Sequence, residues 1–305
     1  MSPQFVDQKK SAFNPFQAIL ACILPQSDFT TDSNFLHSFL QLGKQFQAEL
    51  HILVPEEKLP FIQKILPWPS LNNLVVHPFL PPLQSEQVQK KATTYDCGLI
   101  LMSQPHSLSN DESGTHQSIL TQSTQPVLLV PTDRDLSTHP ITSVLVPLSG
   151  EERSSQALTL ALQLAERLRL PVDLIHVCSH SSTDEPCPHG PKPSTLLALE
   201  CLSDSFQHEY PQLKDTIVAE ACPFSTTSQR NQVRSFTSCQ GETSQQLTHC
   251  LDHHRNALVI VEWRGNLHNG HALNLKAIND QQKFPFFCVR VSPAPQTRLK
   301  VGAQF

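Results

Sequence analysis

One pattern occurs twice in this chain, and that repetition constrains the fold more than any single motif. "ILACILPQSDF" (Ile19 to Phe29) and "ITSVLVPLSGE" (Ile141 to Glu151) align at one constant offset. In each, an apolar run reaches a proline, Pro25 or Pro147, and then a serine, Ser27 or Ser149. Apolar residues at helical spacing follow: Phe35, Leu36, Phe39, Leu42 and Phe46, then Leu158, Ala161, Leu162, Ala165 and Leu168. That spacing predicts one buried helix face in each copy. Glu151 and Glu152 stand near the positive end of the second helix. Each helix hands over to a further apolar run, "AELHILV" and "PVDLIHV". "CGLILMS" and "NALVIVEW" come next, and "QPVLLVP" and "FPFFCVRV" close the copies.

Strands that alternate with helices and are apolar throughout argue for a parallel sheet covered on both faces. The expected fold class is therefore α/β, with two tandem doubly wound, Rossmann-like domains. Their expected limits are 14–134 and 139–292, with flexible tails at 1–13 and 293–305. The polar stretch "TDRDLSTHP" reads as the linker between them. The second copy is longer, chiefly in "HSSTDEPCPHGPKPS" and "CPFSTTSQRNQ", which read as loops around one extra helix from Ser194 to Glu209. Each copy should supply five strands, the last free to pair outside its own sheet. Two bare apolar edges would invite aggregation unless covered. The expected solution is an internal pseudo-dimer, with Val127 to Val130 lying near Phe286 to Val289.

Composition excludes several functions. Twenty-two basic against 27 acidic residues give a net charge of −5, which argues against a nucleic-acid or anionic-lipid partner. "MSPQFVDQKKSAF" has no apolar signal core, and no later run is long enough to span a bilayer, so the expected location is the cytoplasm. Nine cysteines, an odd number, fit reduced thiols better than a disulfide framework. Glycine is scarce: 9 in 305 residues is about 3%, against a usual ~7%. Phosphate cradles depend on glycine, so the chain has little material for one.

"VLVPLSGEERSSQALTLALQLAERLRLPVDLIHV", "QGETSQQLTHCLDHHRNALVIVEWRG" and "KFPFFCVRV" together resemble the universal stress protein family in its tandem form. "YDCGLILMSQ" and "TQPVLLVP" carry the resemblance in the first copy. The resemblance covers Ile19 to Val291 and rests on the order of the motifs, repeated twice. It implies a stress-response role. In members that bind ATP it also implies an acid after the first strand and a G-x2-G-x9-G-[ST] loop after the fourth. Here both acid positions are serine, Ser27 and Ser149. In "WRGNLHNGHALNLKAI" Gly265 survives, His268 stands at the second glycine, and Ala272 and Leu273 stand near the final Gly-Ser. The first copy keeps only Gly114 and Thr115, with Asp111 and Glu112 placed to repel phosphate. The remnant cofactor pocket is therefore Ser149, Gly150 and Gly265, and ATP binding at family-like affinity is disfavoured.

Rival chemistries are weaker. His176, Cys178, His180, Cys187 and His189 lack the paired close spacing of a zinc site, and read as a polar loop. His249 and His253 share a helix face but are only two ligands. No G-x-S-x-G elbow is present, so no catalytic residue is assigned. Trp68 and Trp263 read as packing residues, and Trp263 replaces a small residue of the resembled motif. The expected function is a non-catalytic regulatory protein acting through a protein partner, with neither cofactor nor metal. A nucleotide or small-molecule sensor using a remodelled pocket is the alternative, and an enzyme comes third. Self-association stays open.

Overall fold

The computed structural model describes residues 16–25, 27–66, 73–105, 114–132, 136, 140–148, 155–178, 233–240, 243–254, 256–263, 273–281 and 283–290. The first half runs β1 (Ala18–Cys22), α1 (Phe29–Phe46), β2 (Glu49–Pro55), a 3-10 turn (Glu56–Lys58), α2 (Leu59–Ile65), β3 (Leu74–Phe79), α3 (Ser85–Thr94), β4 (Leu99–Ser103), α4 (Thr115–Gln122) and β5 (Val127–Val130). The second half runs β6 (Ser143–Leu148), α5 (Ser155–Leu168), β7 (Val172–Cys178), β8 (Val233–Gln240), α6 (Thr243–His253), β9 (Ala257–Trp263), α7 (Leu273–Asp280) and β10 (Phe286–Arg290). The helix expected from Ser194 to Glu209 and the histidine-cysteine loop beyond Cys178 lie outside the described residues.

These strands form one ten-stranded sheet in the order β3-β2-β1-β4-β5-β10-β9-β6-β7-β8. Read inward from either edge, the two halves have the same order, with chain reversals between β1 and β4 and between β6 and β9. Every pairing within a half is parallel. The fold is therefore a doubly wound α/β sheet, as the alternating pattern requires. Separate sheets do not occur, because the final strands pair antiparallel, Phe286 with Leu129, Phe287 with Leu128 and Cys288 with Val127. Pairing buries both apolar edges at once.

The helix spacing read from the sequence marks the core. Phe35, Leu36, Phe39, Leu42 and Phe46 on α1 and Leu158, Ala161, Leu162 and Ala165 on α5 are buried on one face of the sheet. Leu168 packs against that core from its margin. On the other face lie Val88, Ile119, Leu247, Leu251, Leu275, Ile278 and Trp263, carried by α3, α4, α6, α7 and the end of β9. Asp28 starts α1 by accepting a hydrogen bond from the Thr31 backbone N–H at 2.7 Å. Gly43 lets α1 approach β2, since a Cβ there would stand 2.4 Å from a Leu50 methyl.

Polar bonds also cross the junction between halves. The Gln104 side-chain amide donates to the Asn279 carbonyl at 3.0 Å, and the Asn279 amide donates to the Pro105 carbonyl at 3.0 Å. Arg167 on α5 donates to the carbonyl of Phe46 on α1. Among the described residues no helix is long and apolar enough to cross a membrane.

Candidate functional site

In doubly wound sheets ligands sit beyond the carboxyl ends of the strands, where the chain reverses direction across the sheet. In the first half that edge carries Ser27, in the turn between β1 and α1. Its hydroxyl hydrogen is within reach of the Leu24 carbonyl at 2.6 Å and the Asp32 Oδ1 at 2.5 Å. The side chain of Lys58, delivered by the turn after β2, reaches the same turn. Its ammonium donates to the Leu24 carbonyl at 2.9 Å, Ser27 Oγ at 2.8 Å and Asp32 Oδ2 at 2.8 Å, and also meets the Ser27 carbonyl. An ammonium has three hydrogens, so these acceptors use all of them.

The pair is buried: Lys58 is 5% exposed and Asp32 2%. Burial pushes the Asp32 carboxyl up, against the opposing hydrogen bonds from Lys58 and Ser27. Asp28, at the solvent side, is held low by the hydrogen bonds it accepts from Thr31. Ser27 thus stands where the resemblance would put an acid, and the chain's own ammonium occupies its hydroxyl.

The second half closes its edge differently. Glu262, on β9, accepts a hydrogen bond from the Ala157 backbone N–H at 2.9 Å. Ala157 lies in the first turn of α5, so a carboxylate of the chain takes an amide of the helix end that would attract an anion. Trp263, the next residue, is buried among Leu247, Leu251, Leu275 and Ile278, which makes it a packing residue.

Ser149, Gly150 and Gly265, together with His268, Ala272, Asp111 and Glu112, lie outside the described residues. Gly114 is described: it takes a left-handed φ of 61° at the N-cap of α4, directly before Thr115. His249 and His253 are exposed on α6, with ring centroids 4.9 Å apart. Among the described residues no group of three or more His, Cys, Asp or Glu converges on a metal position. The thiols of Cys22, Cys97 and Cys288 are free, and burial pushes Cys97 up to about 12. Sequence reasoning missed Lys58, Asp32 and Glu262. Their signal is faint: a lysine inside "PEEKLP" and an acid closing an apolar strand.

A universal stress protein from Archaeoglobus fulgidus DSM 4304 matches over 91% of this chain and 98% of its own, with TM-score 0.54 and 13% identity. A protein from Pseudomonas aeruginosa UCBPP-PA14, provisionally named a universal stress protein, matches over 91% of this chain and 94% of its own, with TM-score 0.55 and 14% identity. The chain has the universal stress protein fold. The cytoplasmic domain of a prokaryotic cation chloride cotransporter also matches, over 89% of this chain and 94% of that chain, with TM-score 0.50 and 11% identity. No protein-family model and no curated protein matches the sequence. The same fold thus occurs in proteins of different description.

Proposed function

We propose that this is a non-catalytic regulatory protein of the universal stress type, acting by binding a protein partner and without ATP at family-like affinity. The observation that carries this reading is the Lys58 ammonium seated on Ser27, Leu24 and Asp32 at the carboxyl end of β1. A nucleotide entering there would have to displace a buried ion pair and leave Asp32 uncompensated, a costly exchange. Glu262 at the start of α5 supports the same reading for the second half, since its charge opposes a phosphate at that helix end.

Thermal unfolding with increasing Mg-ATP tests the proposal. Ligand at ~100 times its dissociation constant adds about 2.7 kcal/mol, which moves the melting temperature by several degrees. The expected result is no dose-dependent shift up to millimolar ATP. A rise of that size, removed by Gly265→Val, overturns the reading and favours a nucleotide sensor. Mass spectrometry of the denatured, freshly purified protein gives an independent check: a released nucleotide would also favour the sensor.

A further inference from the structure

Away from the strand ends, under α3, two buried histidines face one another. His51 on β2 and His77 on β3 are 1% and 7% exposed, and His51 Nδ1 lies 3.1 Å from His77 Nε2. Their rings are stacked, 6° from parallel. Tyr95, at the C-cap of α3, places its ring centroid 4.5 Å from each. The trio therefore joins three elements, and among the described strands β3 lies at one end of the sheet, beside β2. Val75 on β3 and Leu80 just after it are large apolar side chains left exposed.

We propose that the His51–His77 pair is an acid-operated latch, whose double protonation releases β3 and α3 from β2 and opens the outer edge of the first half. A 3.1 Å contact between ring nitrogens needs one donor and one acceptor. Neutral imidazoles meet that need, and so does a pair carrying one extra proton. A second extra proton removes the acceptor and sets two cations face to face in a buried site.

The surrounding charges fix the order of events. On β2, Glu49 Oε1 lies 3.2 Å from His51 Nε2, so the first proton is best accommodated on His51. On α3, Lys91 stands 5.6 Å from the Tyr95 ring centroid and opposes a charge on His77. Asp96 and Cys97, entering β4, complete the titratable groups nearby, with Cys97 held neutral by burial and by the charges of Glu49 and Asp96. Burial holds both imidazoles below their ordinary value; for His77, Lys91 and His51 add to it and the result is about 4. A folded value below the unfolded one means the latch stabilises above about pH 6.5 and is lost as pH falls toward 4.

Hydrogen exchange of the full chain, corrected for intrinsic rates, tests the latch between pH 7 and pH 4. The His77 shift predicts that opening of β3 and α3 becomes about 100-fold more favourable at pH 4 than at pH 7. Amides of β6 and β7 should not follow. His77→Phe keeps an aromatic ring beside Tyr95 but cannot titrate, and its β3 amides should lose this pH dependence. The proposal is overturned if β3 and α3 stay closed at pH 4, open together with β6 and β7, or open equally in His77→Phe. Should that variant not fold, the imidazole signals of the wild-type protein decide. A His77 midpoint below the free-imidazole value of about 6.5 supports the latch, and one at or above it overturns it.

Discussion

The two halves place a buried polar cluster on the same face, near the start of their second strand, and build it from opposite chemistry. In the first half it is the neutral stack of His51, His77 and Tyr95. In the second it is the carboxylate of Asp173 on β7, 1% exposed. Asp173 takes Ser235 Oγ at 2.6 Å and Arg234 Nε at 3.0 Å from β8, and His254 Nδ1 lies 3.4 Å away, just after α6. Burial alone would raise this carboxyl, but the hydrogen bonds from His254, Arg234 and Ser235 hold it well below the usual carboxylate range. Its contribution is therefore fully present above the unfolded value and lost only as pH falls below about 4. One backbone position thus tolerates either solution, and the choice sets where acid first loosens the molecule.

The largest effect should come from removing the charge that organises the second cluster. Asp173→Ala leaves Ser235 and His254 facing a void, and denaturant unfolding should show a loss of about 3–5 kcal/mol. Lys58→Met, at the first-half edge, should cost about 3 kcal/mol at neutral pH by leaving the buried Asp32 without its cation. Because burial already favours the protonated Asp32, that cost should shrink at pH 5 and grow as pH rises. A pH-independent cost would show that Lys58 acts there by packing rather than by charge.

Smaller effects separate the helices. At the offset that aligns Ile19 with Ile141, Gly43 on α1 falls on Ala165 of α5. Gly43→Ala drives a methyl into Leu50 and should cost about 1–3 kcal/mol. Ala165→Gly removes a methyl from the core and should cost about 1 kcal/mol through helix propensity. Equal costs would mean that the two helices sit at the same height above the sheet. The smallest effect should be at Lys283, whose pairing with Asp252 is half-exposed on both sides. Lys283→Ala should change the unfolding free energy by no more than about 0.5 kcal/mol.

The fold was legible because its signals are long and periodic. Phe35 to Phe46, Leu158 to Leu168 and the buried runs ending at Cys22, Ser103, Val130 and Trp263 declare their spacing directly. The edge strands were not, for different reasons. In β3, "LVVHPF" carries a proline and a histidine, and in β8, "VRSFTSCQ" is largely polar, because an edge strand has less to bury. The site was legible only by loss, as serine in place of an acid and missing glycines. What replaced them was hidden, since Lys58 meets Ser27 across 31 residues and Glu262 meets Ala157 across 105. No local pattern records contacts that only the finished sheet brings together.

The antiparallel seam between β5 and β10 has a consequence for heredity. Were the halves identical subunits meeting across such a seam, each inherited change would be written on both sides, and neither cluster could depart from the other. Joined by a peptide, each half inherits its own changes while the seam still holds it in place. A histidine stack on one flank and a carboxylate on the other is the asymmetry that a single chain permits.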